Sequence, residues 1–176
     1  EKLLGKGIEN DKIVQLEHPL VKQVKNRIPA RDTTTTKFIY AGNLSGAVRD
    51  GRFAFSLFTC LSKKNYDFIF ESYLFGSAYK QYLPFQNKHI QVKRPVSKDE
   101  VEEELWASNI LVVIGNNKSD QEQGKVYEFI SLGKPIIYFY KTASEPIYPL
   151  LEMYPLCFFV DEKKGVSQAL AESLWD

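Results

Sequence analysis

Residues 110–140 read ILVVIGNNKSDQEQGKVYEFISLGKPIIYFY, and this stretch decides the fold class. Two solid apolar runs, Ile110–Ile114 and Ile136–Tyr140, flank a polar loop and an amphipathic segment. Apolar runs without alternation are typical of parallel strands that are covered on both faces. The segment between them predicts a helix over 124–132, ended by Gly133. The stretch therefore predicts a strand–helix–strand unit of an α/β protein.

The same alternation continues over the chain from residue 37 onward. Besides the runs at 110–115 and 135–140, the strand candidates are 37–41, 67–71, 89–92 and 157–160. Ser97 and Glu100 are spaced as a capping box, which predicts a helix from Ser97 to about residue 108, and a last helix is expected over 166–174. This pattern is typical of a Rossmann-like α/β fold, an open, doubly wound parallel sheet of about six strands with helices on both faces.

Residues 1–36 differ in character from the rest of the chain. A short strand is expected at 13–16, and 29–36, with its four consecutive threonines, is typical of a linker. We therefore expect 1–36 to be an N-terminal connecting segment and linker. Residues 37–176 are expected to form one domain, long enough to bury a single core.

The composition excludes several classes of partner. With 23 basic and 22 acidic side chains the formal net charge is +1, so we expect no bulk attraction to nucleic acid. No apolar run reaches the roughly 18 residues of a transmembrane helix. Cys60 and Cys157 lie far apart in apolar stretches, which favours buried free thiols over a disulfide or a metal site. That cysteine usage suits a cytoplasmic protein.

The turn after the first strand is the first candidate ligand site, because ligands of open parallel sheets bind beyond the carboxyl ends of the strands. It contains Gly42, Asn43 and Gly46, with Arg49 just beyond. Glycines there let the backbone approach a ligand, and Arg49 supplies positive charge, although the spacing is not that of the GxGxxG fingerprint. The alternative is an ordinary glycine-rich turn followed by a surface arginine.

A second turn enters the helix at Gly124. Unpaired N–H groups at a helix N-terminus favour a phosphate, and Lys125 adds a full charge. Glu128, on the same helical face, can accept hydrogen bonds from the vicinal hydroxyls of a ribose. The alternative is a Lys125–Glu128 surface pair worth a few tenths of a kcal/mol.

A third turn, 93–97, lies between a predicted strand and the capped helix. It is either a surface against which a nucleotide base lies or only the segment that leads into the helix.

Taken together, these segments resemble the C-terminal, donor-binding domain of GT-B-fold glycosyltransferases, close to the large retaining family that uses NDP-sugars. The family's Lys-x-x-Glu-(Tyr/Phe)-x-x-x-Gly-Lys-Pro motif matches KVYEFISLGKP at 125–135 in every specified position. FIYAGNL at 38–44, RPVS at 94–97 and ELWASNILVV at 104–113 match looser parts of the pattern. The resemblance covers nearly the whole chain.

The resemblance implies a donor nucleotide site. In that site Glu128 would bind the ribose hydroxyls, and Lys125 with the backbone at Gly124 would meet the phosphates. Asp120 stands where many relatives have a Glu, which implies a contact with the sugar. The donor-binding residues implied are Gly42, Asn43, Arg49, Arg94, Val96, Gly124, Lys125 and Glu128. No metal is implied, and no cofactor other than the NDP-sugar donor substrate.

The activity implied is transfer of a sugar from an NDP-sugar to a carbohydrate or glycoconjugate acceptor. The family places the acceptor site and much of the catalytic machinery in an N-terminal domain that this sequence does not contain. We therefore expect the 176 residues to be the C-terminal part of a longer enzyme, inactive alone. No catalytic residue is assigned, and His18 and His89 are expected to be structural or exposed.

Two other functions stay open from the sequence. A nucleoside 2-deoxyribosyltransferase-like enzyme also has an Ala-Gly first loop and a Gly-Lys-Pro segment. It would use Asp120 and Glu128 as substrate-binding and nucleophilic carboxylates. A non-catalytic nucleotide-binding or protein-interaction module would share every feature except turnover.

Overall fold

The computed structural model describes residues 34–76, 78–117 and 121–175. Within them six strands form one sheet in which all neighbouring strands are parallel. The strands are β1 (Thr36–Gly42), β2 (Phe68–Leu74), β3 (Ile90–Lys93), β4 (Ile110–Ile114), β5 (Ile136–Tyr140) and β6 (Cys157–Asp161). Their order across the sheet is β3-β2-β1-β4-β5-β6. The chain therefore builds outward from β1 to one edge and then returns to place β4 on the other side of β1.

Helices cover both faces of this sheet. In the described part of the chain they are α1 (Arg52–Leu61), α2 (Ala78–Tyr82), α3 (Lys98–Ala107), α4 (Lys125–Ser131), α5 (Tyr148–Glu152) and α6 (Gln168–Glu172). Helices α1, α2 and α6 pack on one face, and α3, α4 and α5 pack on the other. The chain therefore leaves the neighbouring strands β1 and β4 toward opposite faces. This arrangement creates the topological switch point of a doubly wound sheet and confirms the predicted Rossmann-like fold.

The face beneath α1 is packed with aromatic rings. Phe58 of α1 stacks on Phe70 of β2 with ring centroids 4.1 Å apart, and Phe55 packs edge-on against the same ring at 5.1 Å. All three side chains are fully buried. Burying a phenylalanine contributes about 1.5–3 kcal/mol, so this cluster anchors α1 and, with it, the end of the loop between β1 and α1.

Two local signals act as the sequence predicted. Ser97 caps α3, because its Oγ accepts the N–H of Glu100 at 3.2 Å while the Glu100 carboxylate accepts the N–H of Ser97 at 2.9 Å. Gly133 follows α4 with a φ of +66°, a left-handed conformation that favours glycine. The six predicted strands and the capped helix are confirmed, and their bounds shift by no more than three residues.

The last helix and the start of the first strand also differ slightly from their predicted bounds. The last helix spans Gln168–Glu172 rather than 166–174, because Ser167 is its N-cap and accepts the N–H of Leu170 at 3.1 Å. Thr36 belongs to β1 rather than to the linker, and its N–H donates to the carbonyl of Asp67 at 2.9 Å. The short strand expected at 13–16, like His18, lies outside the described residues.

Helix α1 had no predicted counterpart. Its N-cap, Gly51, makes no side-chain capping hydrogen bond, and the helix has no acidic residue in its first turn. Five of its residues are nevertheless buried. Packing against the sheet, rather than a local capping signal, therefore defines this helix.

The remaining sequence-based expectations concern cysteine, histidine and membrane spans. Cys60 and Cys157 are free thiols, and both are half-buried. His89 stacks on Phe68 at 4.7 Å, with its Nδ1 2.9 Å from the carbonyl of Phe68, which fits a structural role. None of the helices in the described segments is long and apolar enough to cross a membrane.

Candidate functional site

A cleft of about 210 Å³ opens at the carboxyl ends of β1 and β4. Its walls are residues 40–43 and Arg49 on the β1 side, 112–114 of β4, and 123–126 with Phe129 on the α4 side. The cleft lies at the topological switch point, where open α/β sheets bind their ligands. We call it the switch-point cleft, and its place in the fold makes it the candidate ligand site.

Lys125 lies in this cleft rather than on the outer surface of α4. Its Nζ donates a 2.8 Å hydrogen bond to the carbonyl of Ala41, at the end of β1, and lies 5.7 Å from the centre of the Phe75 ring. Burial lowers the pKa of the Lys125 ammonium, and the charge of Glu128 opposes this shift while that of Arg49 adds to it. One of the three N–H donors of the ammonium is used by Ala41, so others can meet a ligand.

Arg49 reaches the same cleft from the loop between β1 and α1. Its Nε and Nη2 donate to Oδ1 of Asn116 at 3.1 and 2.7 Å. The guanidinium also influences the phenol of Tyr40 in the cleft wall: burial raises the pKa of Tyr40, and the positive charge of Arg49 opposes that rise. Arg49 is half-buried and lines the cleft, so it differs from the free surface arginine that the sequence left open.

The hydrogen-bond partners of these two cations are neutral oxygens. Lys125 is bonded to a backbone carbonyl and Arg49 to a side-chain amide. Every salt bridge formed among the described residues involves other side chains. Among the described residues, neither positive charge in the cleft has a carboxylate in a hydrogen bond or salt bridge with it, and two such charges attract an anion with several acceptor oxygens.

The predicted backbone positions also line the cleft. A Cβ on Gly42 would lie 2.8 Å from the Tyr40 hydroxyl, so a larger residue at this turn would have to displace the Tyr40 side chain. The same hydroxyl donates to the carbonyl of Asn43 at 3.3 Å and thereby closes the turn. Gly124 is the N-cap residue of α4. The structure thus brings Gly42, Asn43 and Gly124 together with both cations.

Three other predicted site residues, Glu128, Arg94 and Val96, are not part of the wall of the cleft. Glu128 is exposed on α4. Arg94 is exposed beyond the end of β3, with its guanidinium carbon 5.7 Å from the centre of the Tyr79 ring. Val96 is half-buried and packs on the face covered by α3 and α4. Asp120 lies outside the described residues.

Sequence reasoning missed two amides, one in the wall of the cleft and one that contacts the cleft residue Arg49. Gln123 lines the wall and donates from Nε2 to the carbonyl of Ile114 at 3.1 Å. Asn116, two residues beyond β4, is 2% exposed and holds Arg49. For Asn116 the available signal was its place just after a buried strand, because ligands of parallel sheets bind beyond the carboxyl ends of the strands.

Comparison with known proteins adds a likeness of fold. No protein-family model matches this sequence, and no curated protein matches it significantly. Among solved structures, the chain is similar to TarM, with 12% sequence identity and a TM-score of 0.58; the match covers 85% of this chain and 30% of the TarM chain. The shared fold is Rossmann-like.

A second similar structure is the C-terminal domain of the glycosyl transferase group 1 family protein LpcC from Francisella tularensis. Its sequence identity to this chain is 16% and the TM-score is 0.53. The match covers 86% of this chain and 81% of the LpcC domain. The chain therefore has nearly the extent of that domain, whereas it spans less than a third of TarM.

Proposed function

We propose that this chain is the donor-binding domain of a glycosyltransferase, and that the switch-point cleft binds the diphosphate of a nucleotide sugar. The observation that carries the proposal is that Arg49 and Lys125 line one cleft while their own partners are neutral oxygens. Like charges repel each other, so an anion between them stabilises the arrangement. The likeness in fold to a glycosyl transferase domain supports a nucleotide sugar as the diphosphate.

Within this proposal, Lys125 and Arg49 bind phosphate, and Glu128 binds the ribose hydroxyls. Lys125 and Glu128 are three residues apart on α4, which makes them neighbours on one side of the helix. A diphosphate held at Lys125 therefore brings the adjoining ribose toward the exposed carboxylate of Glu128. Arg94 and Val96 are the proposed contacts of the base, and Asp120 is the proposed contact of the sugar.

We also propose that donor binding needs no divalent metal. The positive charge that phosphates require is supplied by Arg49 and Lys125, in the role that Mg²⁺ takes in many other phosphate sites. The cytoplasm is the proposed location, because the free thiols of Cys60 and Cys157 suit a reducing compartment.

The acceptor in this proposal is a carbohydrate or glycoconjugate bound by a second domain. The chain spans only 30% of the TarM chain that it resembles in fold. Sugar transfer requires both substrates to be held in one geometry. We therefore expect this chain to bind the donor nucleotide without transferring the sugar.

Calorimetric titration of the chain with UDP, GDP and ADP, each beside its nucleoside and each both without and with EDTA, tests the proposal. One diphosphate should bind at least about tenfold more tightly than its nucleoside, because a charge-assisted hydrogen bond is worth about 1.5–3 kcal/mol. Diphosphate binding that disappears when EDTA is added would overturn only the proposal that donor binding needs no divalent metal. Failure of all three diphosphates to bind, or equal affinity for diphosphate and nucleoside, would overturn the site.

A further inference from the structure

The loop between β1 and α1 is tied to the end of β4 by two consecutive amides. The backbone N–H of Asn117 donates to the carbonyl of Val48 at 2.7 Å, and its Nδ2 donates to the carbonyl of Gly46 at 2.7 Å. Asn116, beside it, accepts both hydrogen bonds from Arg49. The backbone of the loop is thus held by one amide, and the functional side chain of the loop is held by the other.

Only one orientation of the Asn116 amide satisfies its surroundings. Its Nδ2 donates to the carbonyl of Gln121 at 2.7 Å, while its Oδ1 accepts from Arg49. Rotating the amide by half a turn would place N–H groups against the guanidinium and an oxygen against a carbonyl, and both contacts are repulsive. The orientation of Asn116 is therefore fixed by its neighbours on two different segments.

The backbone of Asn116 is fixed as well. Its N–H donates to Oε2 of Glu145 at 2.9 Å, and the Glu145 side chain is buried, at 1% exposure. Gly115 permits this contact, because a Cβ there would overlap the Glu145 carboxylate and lie 2.9 Å from the carbonyl of Phe139. Asn116 is consequently a rigid point to which Arg49 is attached.

An amide at position 116 affects the charge of Arg49 differently from a carboxylate. Aspartate would also accept hydrogen bonds from Arg49, but it would neutralise the charge of Arg49 in a salt bridge and would have no donor for the carbonyl of Gln121. Asparagine orients the guanidinium without itself neutralising the positive charge, which is what an anion site requires. The hydrogen bond from Nδ2 to the carbonyl of Gln121 serves to hold the amide itself in this orientation.

We propose that Asn116 is a positioning residue that holds Arg49 toward the switch-point cleft while leaving its charge available to a diphosphate. This inference rests on the proposed function. Asn116 acts through Arg49, so its contribution to binding exists only when Arg49 is present. Asn116 should therefore increase the affinity for the diphosphate and leave the affinity for the nucleoside unchanged.

The test measures binding of UDP (or the diphosphate that binds best) and of its nucleoside to the variants Arg49→Ala, Asn116→Ala and the double variant. Arg49→Ala should weaken diphosphate binding by about tenfold to a hundredfold. Asn116→Ala should weaken it by about twofold to tenfold, the cost of ordering one long side chain on binding. In the Arg49→Ala background, Asn116→Ala should cause no further loss, and nucleoside affinity should not change.

A second substitution, Asn116→Asp, keeps the size of the side chain and guards against misfolding of Asn116→Ala. It should weaken diphosphate binding by at least about tenfold, because the new carboxylate pairs with Arg49. Asn65→Ala, at an exposed asparagine just before β2 and so at the amino ends of the strands, is the control and should bind like the unmodified chain.

The outcomes separate the two proposals. If Arg49→Ala weakens diphosphate binding but the losses of Arg49→Ala and Asn116→Ala are additive, the positioning role is overturned and the phosphate site stands. Equal weakening of diphosphate and nucleoside by Asn116→Ala, or normal diphosphate binding by a folded Asn116→Asp variant, would also overturn the positioning role. If Arg49→Ala binds the diphosphate normally, the proposed phosphate site fails, and the positioning role fails with it.

Discussion

Replacing Lys125 by methionine should separate ligand binding from stability. Lys125→Met keeps the length and the apolar part of the side chain but removes the ammonium that donates to Ala41 at 2.8 Å. Loss of one charge-assisted hydrogen bond, worth about 1.5–3 kcal/mol, should weaken UDP binding by about tenfold to a hundredfold. Uridine has no phosphate, so its affinity should stay unchanged.

The same substitution should change the free energy of unfolding very little. Burial lowers the pKa of Lys125, against the opposing charge of Glu128, which means that the folded protein disfavours the charged form. Removing the charge relieves that desolvation cost, but the carbonyl of Ala41 loses a donor at a cost of about 1–3 kcal/mol. The two effects oppose each other, and we expect a net change within about 1 kcal/mol.

Calorimetry with UDP and uridine measures binding, and urea unfolding followed by circular dichroism measures stability. Lys88→Met is the matched control, because Lys88 is exposed just before β3, at the amino ends of the strands, and it should change neither quantity. If Lys125 only formed a surface pair with Glu128, Lys125→Met would lose a few tenths of a kcal/mol of stability and bind UDP normally. Normal UDP binding by a folded Lys125→Met variant would refute the phosphate assignment.

Three further predictions concern the ribose, the pH dependence of stability and the isolated chain. Glu128→Gln should weaken both UDP and uridine by about tenfold to a hundredfold in calorimetry, because the ribose belongs to both, and unchanged affinity would exclude the ribose contact. Burial raises the pKa of the Glu162 carboxyl from 4.5 to about 7, a rise that Lys141 partly opposes, so the ionised form destabilises the fold. The free energy of unfolding should therefore fall as the pH rises from about 5 to about 8. In urea titrations, Glu162→Gln should make the free energy of unfolding less dependent on pH and should raise it by about 1–3 kcal/mol at the upper end of this range. An equal pH dependence in both proteins would contradict the prediction. The chain alone should transfer no sugar from the nucleotide sugar it binds to any acceptor, and transfer measured with labelled donor would count against a separate acceptor domain.

Local sequence signals were sufficient for most of the fold. The solid apolar runs of β4 and β5 predicted covered parallel strands, and Ser97 with Glu100 predicted the start of α3, because these features act within a few residues of chain. Helix α1 lacks such a signal, since Gly51 provides no side-chain cap. It is defined by the burial of Phe55 and Phe58 against the sheet, and that packing depends on the tertiary fold.

The candidate site was predictable in part. Arg49 and Lys125 could be singled out because each follows the carboxyl end of a predicted parallel strand. Their mutual arrangement could not be predicted, because it depends on β1 and β4 being neighbours in the sheet. The contact of Lys125 with Ala41 joins residues 84 apart in sequence, and that of Arg49 with Asn116 joins residues 67 apart. Helical spacing alone left Lys125 as either a phosphate ligand or a surface residue, and its burial in the cleft is a tertiary property.

A crystal structure of the chain with UDP, or with whichever nucleoside diphosphate binds, tests most directly whether the switch-point cleft is a diphosphate site. We expect phosphate oxygens within about 3.2 Å of Lys125 Nζ and of the Arg49 guanidinium, with the ribose turned toward Glu128. A nucleotide bound elsewhere on the chain, or one whose phosphates point away from both cations into solvent, would contradict the proposal.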